Sequence, residues 1–278
     1  MAYVKRFGCF TFVLSLIAFC ASVTYGNELD RFKDLEGTLD IAGGTAHIPV
    51  MKDAAQKIMT LNSKIKITIA AGGSGVGVQK VAQGLVGIGN TGRALSQAEI
   101  EKFGLKSFPF AIDGVAVAVH PGNQISNVTS DQVRDIFSGK ITNWKEVGGK
   151  DAKINLYSRD EASGTREVFW DLLLKKGPVA QSANVVPSNG AMKVALGKDP
   201  NAIGYVGIGH IDNTIKAVTL DGIIPSQEHA ADGSYKVTRK LYMNTKGEPV
   251  GLAKVFIEYI QGPEGSIFVK KSGYIPLQ

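Results

Sequence analysis

From residue 38 onward, short β-rich runs alternate with segments of helical period. That order restricts the chain to βαβ units around a largely parallel sheet. The patterning predicts strands over 38–42, 64–70, 86–90, 154–158 and 202–207, and a long β-rich run over 111–120. Helices are predicted over 50–61, 78–83, 130–137, 166–174 and 253–260. The uninterrupted run 112–119 and the return near 203–206 read as two crossings between lobes. One lobe then comprises 27–112 and 207–278, and the other 113–206.

Residues 1–26 read as a secretory signal peptide. Lys5 and Arg6 form a basic start, 7–23 is almost wholly apolar, and Thr24-Tyr25-Gly26 offers small residues where a signal peptidase cuts. Cleavage is expected near Gly26. Cys20 follows the bulky Phe19, whereas lipid attachment wants a small residue there. Cys9 and Cys20 are the only cysteines, and both fall in this leader. The exported part is therefore expected to lack disulfides, zinc–thiolate sites and cysteine nucleophiles, and to rely on its core. About 250 residues suffice for one large domain or two of about 120. The formal charge is +6, and Lys5 and Arg6 belong to the leader. The remaining positive charge is spread, with no basic block or RNA-type aromatic motif, so nucleic acid is not indicated. A mild positive bias suits small anions. His47, His120, His210 and His229 are scattered without metal-ligand spacing, so neither a metal nor a cofactor is expected.

Three places share one design, in which a strand ends, a turn rich in glycine and hydroxyls follows, and a helix begins. They are Ala42-Gly43-Gly44-Thr45, Gly72-Gly73-Ser74-Gly75-Val76-Gly77, and Ala162-Ser163-Gly164-Thr165. Helix N-termini expose unpaired N–H groups at the positive end of the dipole, glycines allow close approach, and hydroxyls add donors. An N-cap role would account for Thr45 or Ser163 alone. Three such turns in one chain instead suit a tetrahedral anion, which needs donors from several directions. The second turn is neither a Walker A loop, because Gly77-Val78 stands where Gly-Lys-Ser/Thr is needed, nor a dinucleotide fingerprint, which needs a further glycine.

The segment Arg159-Asp160-Glu161-Ala162-Ser163-Gly164-Thr165-Arg166 adds a guanidinium, which can bond two oxygens of one anion at once. A neighbouring carboxylate either holds that arginine or accepts a proton from the ligand. Hydrogen phosphate carries such a proton and sulfate does not, so one buried acceptor can separate them.

These motifs resemble the periplasmic phosphate-binding proteins of ABC transporters, the PstS-like family, along nearly the whole chain after the leader. The carrying segments are Gly43-Gly44-Thr45, Gly73-Ser74-Gly75, 111–117, 136–144, 159–166 and 202–206. The resemblance implies an α/β, two-lobed periplasmic-binding-protein-like fold of type II. Each lobe would be a mixed, mostly parallel sheet flanked by helices, with the ligand cleft between lobes. It implies a monomer in the periplasm that binds inorganic phosphate and delivers it to an ABC transporter permease in the inner membrane. By position, Thr45 and Ala46 would serve from the first helix, and Gly73, Ser74 and Gly75 from the second. Arg159, Ser163, Gly164 and Thr165 would close the site from the other lobe, with Glu161 or Asp160 as proton acceptor. The sequence departs from the family at Gly87 and Gly92, where members often carry an acidic residue, while Arg93 is a further candidate donor.

Other readings make different demands. Sulfate or molybdate would use the same donors. A secreted phosphatase or acyl hydrolase using Ser163 or Ser74 would need a base within hydrogen-bond reach, and no histidine accompanies either serine motif. An extracellular adhesion or sensing protein would use the fold without uptake. The chain is accordingly expected to be a binder and not an enzyme.

Overall fold

The computed structural model describes Met1, Ala2 and residues 27–277. The expected leader and its cleavage near Gly26 lie outside the described residues, apart from the first two positions. After a short 3-10 helix over Glu28–Phe32 come β1 (Gly37–Gly43) and α1 (Ile48–Leu61). Pro49 occupies the first turn of α1, where its missing N–H breaks no bond. Val50, Met51, Ala54, Ala55 and Ile58 form one buried face at helical spacing. β2 (Ile65–Ala71), α2 (Gly73–Ala82) and β3 (Ile88–Thr91) follow, with β2 and β3 pairing parallel to β1 on either side. α3 (Gln97–Phe103) starts at a Ser96–Glu99 capping box and leads into β4 (Leu105–Val119).

The second half carries β5 (Asn127–Val128), α4 (Ser130–Ser138), β6 (Asn155–Arg159), α5 (Gly164–Leu172), β7 (Asn184–Val186), α6 (Asn189–Lys198) and β8 (Ala202–Gly207). Short β9 (Lys216–Ala217), β10 (Thr219–Leu220) and α7 (Gln227–Ala231) precede β11 (Thr238–Lys246). α8 (Gly251–Gln261), α9 (Pro263–Lys271) and β12 (Ile275–Pro276) end the described chain. The main strand order is β2-β1-β3-β11-β4-β8-β6-β7, parallel at both flanks and antiparallel at the centre. β4 belongs to both halves. Leu105 to Gly114 pair with β11, and Val115 to Val119 pair with β8.

The apolar core divides in two at this point. Phe110 and Ala111 pack with Ile41, Val50, Leu241 and Phe256, whereas Val115 packs with Phe137, Phe169, Tyr205 and Val237. The chain therefore passes between lobes twice, once on β4 between 111 and 115 and once on β11 between 237 and 241. These crossings are neighbours, since Arg239 stands opposite Asp113 in the ladder and the Val115 N–H donates to Val237 O. The sequence had placed the return at 206–207. Val218, Leu220, Tyr235 and Val237 instead pack in the second lobe, so the stretch from 207 to about 237 stays there.

Four of the five predicted helices begin earlier than their periodicity predicts, α1 at Ile48, α2 at Gly73, α5 at Gly164 and α8 at Gly251, with the largest shift at α2. The glycine-rich stretch is helix and not turn, because its missing side chains let α2 lie directly on the sheet. A Cβ on Gly77 would stand 2.5 Å from Asn90 O. β11, α3, α6 and α9 had no counterpart in the sequence pattern.

In the second lobe the Phe169 and Tyr205 rings stack at 4.1 Å and 12°, with Phe137 4.9 Å from Phe169. The Tyr205 hydroxyl accepts from the Arg159 N–H at 3.1 Å, so this aromatic group fixes the end of β6. Phe169→Ala is expected to lower the unfolding free energy by about 3–5 kcal/mol, read as a lower denaturant midpoint.

Candidate functional site

The three glycine–hydroxyl turns meet beside the double crossing. β1 delivers Gly44, Thr45, Ala46 and His47, and β2 delivers Gly73 and Ser74 at the start of α2. β6 delivers Arg159, followed by Ser163, Gly164 and Thr165 at the start of α5; together with Gly92 and Arg239 they line one small cavity. Thr45, Ser74, Arg159, Ser163 and Thr165 are all buried there, with Arg159 only 2% exposed.

The lobes are closed on one another. The Gly75 N–H donates to Ala162 O at 3.0 Å, and a Cβ on Gly73 would stand 2.6 Å from the same oxygen. Gly73 also has φ +82°, a conformation few other residues adopt without strain. A Cβ on Gly164 would collide with Ser74 Oγ. Asn189, at the start of α6, donates its N–H (3.3 Å) and Nδ2–H (3.1 Å) to Thr45 Oγ1. At the rim, Arg93 pairs with Glu99 on its own lobe (2.7 Å) and with Glu167 on α5 across the cleft (2.7 Å).

Each lobe supplies one buried guanidinium. Arg159 donates Nε to Val186 O (3.0 Å) and Nη2 to Pro187 O (3.1 Å), while Nη1 is buried without a protein partner. Burial lowers the Arg159 pKa below the usual arginine value, which is the signature of a cation short of countercharge. Arg239 reaches in from β11. Its Nε (2.9 Å) and Nη2 (2.7 Å) donate to Asp113 Oδ2, and Nη1 donates to Thr165 Oγ1 at 2.9 Å. His47 is fully buried, donates Nε2–H to Tyr242 O at 3.1 Å, and has its pKa lowered to about 3 by burial and by Arg239. It is neutral at any ordinary pH. The side chains lining the cavity thus combine to one net positive charge once Asp113 offsets Arg239.

Of the residues expected from sequence, Thr45, Ala46, Gly73, Ser74, Arg159, Ser163, Gly164 and Thr165 converge on this cavity. Three others do not. The Gly75 amide is engaged by Ala162 O, the Arg93 guanidinium is held by Glu99 and Glu167, and Glu161 is solvent-exposed. Asp160, the alternative proton acceptor, is not among the lining residues either. Sequence reasoning missed Arg239, Asp113, Asn189 and His47. Arg239 had a signal, because on β11 it shares the buried face with Leu241, Met243 and Thr245, an unusual place for an arginine. The two glycines that break the family pattern also find reasons. A Cβ on Gly92 would lie 2.7 Å from Arg239 Nη1, so the arginine fills that space. A Cβ on Gly87 would meet Leu39, away from the cavity.

Residues 33–264 match the family model described as a PBP superfamily domain. The phosphate-binding protein PstS of Bacillus subtilis is 36% identical over 244 residues, covering 87% of this chain and 81% of its own. The phosphate-binding protein PstS of Borreliella burgdorferi is 30% identical over 259 residues, covering 88% and 92%. Among solved structures, a phosphate ABC transporter substrate-binding protein from Clostridium perfringens with bound phosphate superposes with a TM-score of 0.82 at 33% identity. It covers 87% of this chain and 100% of that one. An ABC-type phosphate transport receptor from Vibrio cholerae gives 0.69 at 30%, covering 85% and 99%. A buried, donor-lined cleft between two βαβ lobes, carried by a chain related to these proteins along most of its length, makes this protein a member of the PBP superfamily, in its PstS-like branch.

Proposed function

We propose that the protein captures inorganic phosphate in the interlobe cavity and delivers it to an ABC-type permease. The observation that carries this reading is Arg159 Nη1, buried and without a protein partner where helix N-termini from both lobes converge. An unpaired buried cation costs several kcal/mol, and an anion bonded to it removes that penalty. In the first turns of α2 and α5 the Gly75 N–H is taken by Ala162 O and the Arg166 N–H by Ser163 Oγ, and the remaining N–H groups, which have no intrahelical partners, present donors from opposite lobes.

Closure completes the site. Neither lobe holds all the donors, so an anion bound to both favours the closed arrangement, and opening at the two adjacent crossings releases it. The relatives' names support delivery to a permease. Export to the periplasm, with residues 1–26 removed and the protein acting as a monomer, fits that role. Among the described residues, no helix is long and apolar enough to cross a membrane.

The phosphatase alternative has less support. Ser163 Oγ caps α5 by accepting from the Arg166 N–H at 3.2 Å, and Ser74 Oγ accepts from the Gly92 N–H at 3.0 Å. The one histidine at the cavity, His47, makes its side-chain hydrogen bond to Tyr242 O and not to a serine. A chain acting purely as a binder releases no nitrophenol from nitrophenyl phosphate.

Calorimetric titration of phosphate-stripped protein is expected to show one phosphate site per chain. Arg159→Ala should weaken it by about 2–5 kcal/mol, roughly 30- to 5000-fold in Kd, and an unchanged Kd would falsify this placement of the site. Gly164→Ala, which sets a methyl against Ser74 Oγ and resists closure, is expected to cost about 1–3 kcal/mol of affinity. Its contraction on adding phosphate, followed by small-angle scattering, should shrink correspondingly.

A further inference from the structure

Arg93 stands beside the cavity without lining it, and its charge contacts are divided between the lobes. Nη1 and Nη2 form a fork on Glu99, at 2.8 and 2.7 Å, and Nη1 also donates to Ala94 O at 2.9 Å. Glu99 is itself fixed, because its carboxylate accepts from the Ser96 N–H at 2.8 Å in the capping box of α3. The first lobe thus places this guanidinium by itself, before the second lobe arrives. Nε takes no part in the fork, and the Glu167 carboxylate on α5 lies 2.7 Å from it. The Nε–H is not aligned on that carboxylate as a hydrogen bond, so the contact is one of charge.

Among the described residues this is the only ion pair that joins the lobes away from the crossing strands. The bonds across the cleft from Gly75 to Ala162 and from Asn189 to Thr45 are neutral. The pair also lies against the cavity wall. Gly92, next to Arg93, has its carbonyl carbon 3.3 Å from where a Cβ on Gly164 would stand, and Glu167 follows about one helical turn along α5. Glu167 is the acidic residue in the first turn of α5, whose positive end faces the cavity. Unpaired, its charge opposes an approaching anion; paired with Arg93, it does not. Burial raises the Glu167 pKa, Arg93 lowers it, and the charges of Asp171 and Glu99 raise it, so without Arg93 two carboxylates would repel across the rim.

Resting on the reading of an interlobe phosphate site, we infer that Arg93 and Glu167 form a clasp that holds the lobes shut over the anion and sets its rate of release. Both are positioning residues, since neither lines the cavity. The Arg93 side chain is 16% exposed and that of Glu167 44%, so the pair adds little to the stability of either lobe. Its effect falls on the balance between open and closed forms, because opening breaks the Glu167 contact and leaves the Glu99 fork whole. An enclosed ligand leaves only when the lobes part, so a weaker clasp shows mainly as faster dissociation. The charge on Glu167 gives the clasp a second signature, in the rate of association.

The test follows radiolabelled inorganic phosphate leaving the protein into excess unlabelled phosphate, and its uptake by phosphate-stripped protein. Glu167→Gln is expected to speed release by about threefold to tenfold without slowing uptake, at an unchanged denaturant midpoint. Arg93→Gln should speed release at least as much and should also slow uptake, because Glu167 is left unpaired. The double variant should release no faster than Arg93→Gln alone, since both changes remove one contact. Raising NaCl from about 0.05 to about 0.5 M should speed release from the wild type and leave Glu167→Gln nearly unmoved. Unchanged release from Glu167→Gln would overturn the clasp, as would effects of the two substitutions that multiply in the double variant. If no phosphate binds at all, the phosphate reading falls, and small-angle scattering of the ligand-free proteins still decides the clasp. A larger radius of gyration in Glu167→Gln than in the wild type then supports it, and identical profiles overturn it.

Discussion

The cross-strand pair Asp113–Arg239 organises the molecule. The two residues stand opposite one another on β4 and β11, at the level where the chain passes between lobes, and the pair is nearly sealed from solvent. Ion pairs in such places are held only when their geometry is good. Here Arg239 bonds Asp113 through two nitrogens and Thr165 through the third. The crossing, the start of α5 and the floor of the cavity are thereby tied into one hydrogen-bonded unit. Lobe closure and the cavity wall are consequently linked through the same guanidinium.

Around that unit the fold aims positive ends of dipoles inward. α2 and α5 start against each other from opposite lobes, close enough that Gly73 and Gly164 tolerate no side chain. α6 joins through Asn189, which orients Thr45. Arg159, whose backbone is pinned by Tyr205, adds full charge to these partial ones. The result is an environment in which a hydrated anion can exchange water for fixed donors, with little reorganisation left to perform on binding.

The strand–turn–helix pattern at residues 42–45, 72–77 and 162–165 was legible because glycine and hydroxyl residues before a helical period have few other uses. Arg159 was legible because it opens one of those turns. Arg239 left only its alternation with Leu241, Met243 and Thr245 as a signal, since its partner Asp113 lies 126 residues away and β11 carries neither glycine nor a turn signature. The same oversight misplaced the second crossing, because an unrecognised β11 left 207 as the visible exit from the second lobe. Gly92 stood out only as a departure from a family pattern. Its meaning appears once Arg239 is seen in the space a side chain would take. Arg93 and Glu161 were assigned to the ligand by adjacency, and the folded chain uses the first as a bridge across the rim and leaves the second in solvent.

The central claim is positional, namely that one oxyanion sits between Arg159 and Arg239, touching donors from both lobes. A crystal structure grown with phosphate tests it most directly. The anion is expected within hydrogen-bond distance of Arg159 Nη1, Thr45 and the first-turn amides of α5, with the Arg239–Asp113 pair intact. An anion bound elsewhere, with Arg159 Nη1 turned to a protein partner, would contradict it.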